Sequence, residues 1–106
     1  MTDKEENIEY ERLTVTDVKV HPLQAQTAHI MGLATIVLND QVVVRGLRVM
    51  DGESGLFVGY PNDPFYKGED LRTVFQPINR QLREHIEDKV LEKYQEGIAK
   101  NEAEDD

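Results

Sequence analysis

The 106-residue sequence contains no cysteine and no tryptophan, and its longest apolar runs are short. Without cysteine, neither a disulfide framework nor a thiolate metal site can form, and this composition fits a reducing cytoplasm. No run approaches the roughly 18 apolar residues of a membrane-spanning helix, and the acidic start carries no apolar signal segment. We therefore expect a cytoplasmic protein that has no membrane partner.

Basic charge is also scarce, because 12 Lys and Arg residues face 21 Asp and Glu residues for a net charge of −9. The acids gather at the ends: residues 1–12 hold five acids and two bases, and residues 92–106 hold six acids and two bases. Such ends repel phosphate backbones, and a strongly basic nucleic-acid signature is absent. We expect a flexible acidic extension at residues 1–12, a single domain at residues 13–97 and a flexible acidic tail at residues 98–106.

Four apolar stretches separated by short turn segments predict β-strands that each pair with a sequence neighbour. Asn39-Asp40 tolerates left-handed backbone, and the Asp51–Gly55 segment favours a tight turn, with Gly52 as the first position for a positive φ and Gly55 as a second. Proline cannot donate to a ladder, so Pro22 and Pro61 are expected to stop strands, with residues 23–27 as a connection. The second strand is apolar on both faces at its end, so it is expected to be either central in the sheet or covered on both sides. The predicted strands span residues 13–21, 28–38, 42–50 and 56–60.

After Pro61, a polar loop leads to residues 71–76, which predict a short edge strand, and then to a helix. Asn79 is the expected N-cap, and Gly97 is the expected end of the regular helix. Five apolar residues recur every four positions and form one stripe: Leu82, Ile86, Val90, Tyr94 and Ile98. The predicted fold class is therefore α+β, an antiparallel β-meander of four to five strands with one main C-terminal helix packed on the sheet.

No constellation for catalysis is visible. Ser54 is the single serine, it lies in a turn segment, and the Gly-x-Ser-x-Gly pattern is absent. The histidines at positions 21, 29 and 85 lack the spacing of metal ligands, and the Asp51–Glu53 pair is typical of an ordinary turn. We expect a protein that is not an enzyme and needs neither a cofactor nor a metal.

A mixed basic patch is the remaining candidate site. Its candidate nucleic-acid-binding residues are Lys67, Arg72, Arg80 and Arg83, and Arg45 and Arg48 lie on a neighbouring predicted strand. Three aromatic residues interleave with them: Phe65, Tyr66 and Phe75. Basic side chains engage phosphates and aromatic rings stack on bases, but three acids nearly cancel the charge of this segment: Asp63, Glu69 and Asp70. From residue types alone, nucleic-acid binding and an ordinary solvated surface both remain open.

Three segments resemble the SpoVG family, named after stage V sporulation protein G and associated with septation. They are Leu13-Thr-Val-Thr-Asp-Val-Lys-Val20, Val49-Met-Asp-Gly-Glu-Ser-Gly-Leu-Phe-Val-Gly-Tyr-Pro61 and Gln76-Pro-Ile-Asn79. The resemblance implies a small, homodimeric bacterial regulator of genes, sporulation or cell division that binds DNA and, in some members, RNA. In that family a serine, a lysine and an arginine typically follow the proline, where this chain has Asn62, Asp63 and Pro64. By position, Lys67, Arg72 and Arg83 match basic residues of the family pattern, and Arg80 is additional.

Two functional hypotheses follow. In the first, the chain is a nucleic-acid-binding regulator whose homodimer doubles a weak basic patch. In the second, it is a protein-interaction module that has the same fold and has lost nucleic-acid binding, in keeping with the acidic charge. A dimer is expected in either case, because the strand at residues 42–50 carries apolar side chains on both faces, more than one helix can cover.

Overall fold

The structure is a computed structural model that describes residues 12–27, 29–70 and 72–104. It has the predicted α+β fold, in which four antiparallel strands form one sheet in the order β1-β2-β3-β4 and a long helix packs on one face. The elements are β1 (Val15–Thr27), β2 (Ile30–Leu38), β3 (Val42–Gly52), β4 (Gly55–Gly59) and α1 (Arg80–Glu104). Among the described residues, no helix is both long and apolar enough to cross a membrane.

The acidic ends of the chain, which were predicted to be flexible, lie largely outside the described residues. Residues 1–11 and 105–106 are not among the described residues, so the acidic extension and the division of the chain at residues 12 and 97 stay predictions. The helix was expected to end at Gly97, but it continues to Glu104. A glycine inside a helix costs only about 1 kcal/mol relative to alanine, and Gly97 lies against Pro22 of β1, where the helix packs.

The β2–β3 turn confirms the expectation for Asn39-Asp40. Both residues have left-handed backbone, with φ of 52° and 56°, and the N–H of Gln41 donates to the carbonyl of Leu38 at 2.9 Å. The Asn39 side chain also holds the start of the described chain, since its Oδ1 accepts a hydrogen bond from the N–H of Thr14 at 2.7 Å. This turn sets the antiparallel register of the two central strands.

The β3–β4 turn differs in detail from the prediction. Gly52 does not have positive φ but pairs with Gly55 in the ladder, so that Glu53 and Ser54 alone form the turn. The positive φ lies instead at Gly55, the second predicted position, with a value of 121°. Gly52 is required for space instead, because a Cβ there would meet the Phe57 ring at 2.8 Å. Ser54 is an exposed turn residue, as predicted.

Strand β1 is longer than predicted, and Pro22 does not stop it. The strand runs to Thr27, with Pro22 paired to Gly32 and an irregular register between Pro22 and Thr27. Because β1 is the edge of the sheet, its outer side needs no ladder partner, which is where a strand tolerates proline. Residues 23–27, predicted as a connection, therefore belong to the strand.

The predicted edge strand at residues 71–76 is wrong. Within the described part of this segment, only Thr73 makes a β-bridge, to Asn62, and the bridge lies outside the main sheet. Its backbone bonds serve to join the two ends of a loop, as described below. The sheet accordingly has four strands.

The core lies between the sheet and α1. Three residues of the predicted helical stripe, Ile86, Val90 and Tyr94, are buried, and Leu82 and Ile98 pack at its margin. From the sheet, the buried side chains are Val15, Ala34, Ile36, Leu38, Val44, Leu47, Val49 and Val58. A bulge in β3 keeps this pattern in phase, since Gly46 takes a φ of 89° between the buried Val44 and Leu47.

Strand β2 is central, as one of the two expectations had it, because it lies between β1 and β3, but within the described residues of one chain it is covered on one face only. The sheet has an open face, opposite α1, on which the paired side chains are His21, Leu33, Thr35, Val37, Val43, Arg48, Met50 and Phe57, with Lys19 at its edge. Leu33 is 44% exposed there and Val43 is 46% exposed. Within the described ranges α1 is the only helix, and it lies on the other side of the sheet.

Candidate nucleic-acid interface

The segment that joins β4 to α1, residues 62–79, is here called the connecting loop, and backbone hydrogen bonds close its first part. The N–H of Asp63 donates to the carbonyl of Arg72 at 2.6 Å, and the N–H of Val74 donates to the carbonyl of Pro61 at 2.9 Å. Arg48 braces the entry, because its Nη2 donates to the carbonyl of Tyr60 at 2.8 Å. These hydrogen bonds hold residues 63 and 72 side by side, at a point that we call the neck of the loop.

A turn at the tip of the connecting loop presents Phe65. The carboxylate of Asp63 accepts a hydrogen bond from the N–H of Phe65 at 2.9 Å, and Pro64 restricts the backbone between them. The Phe65 side chain is 85% exposed. The backbone at Phe65 is therefore ordered, while its ring is largely uncovered by the residues that the structure describes.

Beside this tip, Arg72 lies over the ring of Tyr66, with the guanidinium carbon 5.3 Å from the ring centroid. Such a cation–π contact restrains the guanidinium without using its N–H groups, which donate to no described residue. Lys67 makes no hydrogen bond or ion pair with any described residue, and its side chain is exposed. Lys67 and Arg72 are therefore two exposed cations whose side-chain N–H groups donate to no described residue and are available to a ligand.

The two arginines of the first helical turn are already engaged. Arg80 pairs with Glu84 one turn along, with Nε 3.2 Å from Oε2, and both side chains are largely exposed. Arg83 donates from Nη2 to the carbonyl of Pro77 at 3.1 Å and so holds the end of the connecting loop against the helix. The four predicted residues therefore fall into a free pair in the loop and an occupied pair on α1, and no hydrogen bond or ion pair between described residues joins the pairs.

The start of α1 adds positive potential near Arg80 and Arg83. Asn79 caps the helix as predicted, because its Oδ1 accepts the N–H of Leu82 at 2.9 Å. The first turn contains no acidic residue. The positive end of the helix dipole thus reinforces the two guanidinium groups, and the helix start favours anions.

Phe75, the third predicted aromatic residue, is not available for stacking. It is half-buried, and its ring centroid lies 6.1 Å from that of Tyr60, in a tilted pair at the margin of the core. The Tyr60 hydroxyl is inaccessible and has no hydrogen-bond partner among the described residues. The pKa of Tyr60 is raised to about 12, mainly by burial and to a smaller extent by the Glu87 carboxylate, against the opposing effect of Arg83. Burial also raises the pKa of Glu87, against the opposing effect of Arg83.

Sequence reasoning missed the role of His85. Its Nε2 accepts a hydrogen bond from the N–H of Val15 at 3.0 Å and ties the start of β1 to α1. A cleft of about 560 Å³ opens beside it, lined by Arg12, Leu13, Thr14, Asn79, Gln81, Leu82 and His85. No local pattern signals a bond between residues 70 positions apart, so only the folded chain identifies it.

Comparison with known proteins gives one consistent result. The family model for SpoVG matches residues 13–96. Proteins named "Putative septation protein SpoVG" are similar to this chain: that of Exiguobacterium sibiricum is 43% identical over 82 residues, 77% of this chain and 78% of the relative. That of Staphylococcus carnosus is 39% identical over 84 residues, covering 79% and 77%. That of Phytoplasma australiense is 34% identical over 93 residues, covering 88% and 94%.

Proposed function

The chain belongs to the SpoVG family, and from this premise we propose that it is a nucleic-acid-binding regulator that acts in gene regulation or in the control of septation. DNA or RNA binds at the connecting loop and the start of α1. The observation that carries this proposal is the pair of unsatisfied cations, Lys67 and Arg72, beside the exposed rings of Phe65 and Tyr66. Cations and rings together supply phosphate contacts and stacking surfaces.

The four predicted residues contribute unequally to this site. Lys67 and Arg72 bind phosphates without giving up any bond of their own. Arg80 changes partner at low cost, because an exposed ion pair such as that with Glu84 contributes only about 0–1 kcal/mol. Arg83 contributes long-range potential from its place beneath the loop, where its bond to Pro77 holds it.

The protein acts as a homodimer through the open face of the sheet. Four strands about 4.8 Å apart, with nine residues in β2 at about 3.4 Å each, cover about 600 Å² per copy and about 1,200 Å² in a face-to-face pair. That area is at the lower end of stable interfaces. Pairing covers Leu33 and Val43 and brings a second connecting loop into the same particle, which doubles the number of phosphate contacts.

A titration against salt tests nucleic-acid binding. The full chain is titrated with a labelled DNA and a labelled RNA between about 50 and 200 mM salt, and each lost phosphate contact lowers the log–log slope by about 0.7–0.9. The double variant Lys67→Gln/Arg72→Gln is expected to bind more weakly and with a shallower slope. The control, Lys93→Gln, removes a charge that pairs with Glu96 on the helix and should leave the slope unchanged. No binding of either nucleic acid at about 50 mM salt refutes the proposal.

The net charge of −9 favours a second candidate, a protein-interaction module of the same fold without nucleic-acid binding. If the acidic ends instead compete for the basic side chains, removing residues 1–10 and 105–106 should increase nucleic-acid affinity. The cut before residue 11 keeps Arg12, whose carbonyl accepts a hydrogen bond from Asn39 Nδ2 at 3.0 Å. An affinity that stays the same rules out competition by the ends, and a truncated chain that still binds nothing favours the interaction module.

A further inference from the structure

The tip of the connecting loop has an ordered backbone and carries an aromatic ring that is not packed against the rest of the described chain. Phe65 is 85% exposed although its own N–H is bonded to Asp63 and residues 63 and 72 are bonded at the neck. A disordered loop would expose a ring by chance, and a packed loop would bury it. Here the backbone is held by hydrogen bonds while the Phe65 side chain is 85% exposed, so most of the ring is accessible to a flat partner.

The neighbouring residues add charge at short range to this ring. Tyr66 is 40% exposed and carries the Arg72 guanidinium 5.3 Å from its centroid, so that one stacked cation sits next to the open ring. Lys67 follows directly in the chain with no partner among the described residues. A planar group on Phe65 would therefore have cations beside it for an attached anion.

The charge of the loop argues against a duplex as the ligand. Residues 62–72 carry Asp63, Glu69 and Asp70 against Lys67 and Arg72, which leaves one net negative charge. A double helix carries dense phosphates on both strands, and its bases are stacked on one another, so Phe65 reaches a base face only after base pairs are unstacked. An unpaired strand offers free base faces at about half the charge density.

We infer that Phe65 is a stacking residue for an unpaired base, with Arg72 and Lys67 on the adjoining phosphates, and that the ligand of this site is single-stranded nucleic acid rather than a duplex. The inference rests on the proposed function and narrows its ligand class. Stacking supplies the affinity that the acidic chain cannot draw from charge. Ile78 is even more exposed, at 91%, but it has no π face and serves as the matched control.

The test uses the full chain with a labelled oligothymidylate of about 12 nucleotides, which is within the span that single-strand binders cover, and with a duplex of the same length. Phe65→Ala is expected to weaken single-strand binding by roughly tenfold to hundredfold, the usual loss of one stacked base. Phe65→Leu keeps the apolar area without the ring and should lose a similar factor. Ile78→Ala should bind like the parent chain. In Phe65→Trp, which contains the only tryptophan, fluorescence should be quenched as the strand binds.

Each outcome has a distinct meaning. Equal binding of strand and duplex, with Phe65→Ala unaffected, overturns this inference and leaves the proposed function standing. Full retention in Phe65→Leu also overturns it, because an apolar contact to a protein, and not stacking, would then explain the exposed ring. No binding of any nucleic acid at about 50 mM salt removes the inference and the proposed function together.

Discussion

At the scale of single residues, the least favourable feature is the hydroxyl of Tyr60, which is buried without a hydrogen bond to any described residue. It lies near Phe75, Arg83 and Glu87. A buried polar group without a partner costs roughly 1–3 kcal/mol, so the hydroxyl lowers the stability of the folded chain. The aromatic ring, in contrast, contributes apolar burial at the margin of the core.

Tyr60→Phe is therefore expected to raise the free energy of unfolding by up to about 1 kcal/mol, because it removes the unsatisfied hydroxyl and keeps the ring. Urea unfolding followed by circular dichroism measures the change. Tyr66→Phe is the control, since the Tyr66 ring is exposed, and should leave the midpoint unchanged. A marked loss of stability in Tyr60→Phe would show that the hydroxyl has a partner in solution.

The same residue predicts alkaline behaviour. The pKa of Tyr60 in the folded chain is raised from 10.0 to about 12, so the folded state binds its proton more tightly than the unfolded state. The contribution of this proton to the free energy of unfolding is fully present below pH 10, and it is lost as the pH rises from about 10 to about 12. Absorbance at alkaline pH should show a tyrosine that resists ionisation until the chain unfolds, and Tyr60→Phe should remove this part of the pH dependence of stability.

At the scale of elements, α1 depends on its cap and on β1. Asn79 satisfies the Leu82 N–H, His85 accepts the Val15 N–H, and the buried residues of the helix lie mainly against β1. The helix starts where the chain leaves the connecting loop, so the cap fixes both the packing of the helix and the position of Arg80 and Arg83.

Asn79→Ala is expected to cost about 1 kcal/mol of stability, the usual effect of losing an N-cap side chain. Chemical unfolding with circular dichroism detection checks the value. Asn62→Ala is the matched control, because Asn62 is exposed and takes part in the fold through its backbone bridge. Equal stability of Asn79→Ala and the parent chain would mean that water replaces the cap.

The elements also show what sequence patterns can and cannot predict. Turn residues at Asn39-Asp40 and the four-residue apolar repeat of the helix act locally, so the meander and α1 were predictable. Pro22 was predicted to stop a strand and Gly97 to end the helix. Both predictions failed at the β1–α1 contact, where the two residues face each other and packing overrides their intrinsic propensities. In the candidate site, the spacing of Arg80 and Glu84 signals their ion pair. The bond from Arg83 to Pro77 and the Tyr66–Arg72 contact depend on how the loop folds back, which no periodicity encodes.

At the scale of the whole molecule, the sheet is asymmetric, with one face covered by α1 and one face open. The open face carries apolar side chains along β2 and β3; Arg48 of β3 lies beside Leu33 within this face, and Lys19 and His21 of β1 lie at its edge. Apolar surface of this extent on a small domain marks an interaction site.

Leu33→Lys is expected to convert the proposed dimer to a monomer at micromolar concentration without unfolding it, because Leu33 is 44% exposed and lies near the middle of the open face. A buried lysine without a partner is costly, so two copies can no longer close over it. Light scattering gives the mass, and circular dichroism checks the fold. Val74→Lys, on the exposed connecting loop, is the control that should remain dimeric. A parent chain that is already a monomer contradicts the dimer.

The order of the elements along the chain has a consequence for synthesis on the ribosome. The four strands precede α1, and no other described element covers the inner face of the sheet. About 45 residues separate the end of β4 from the end of α1, which corresponds to several seconds at roughly 5–20 residues per second. During that interval, a nascent meander would expose both of its faces, so the chain is most open to mispairing and to chaperone capture just before its helix emerges.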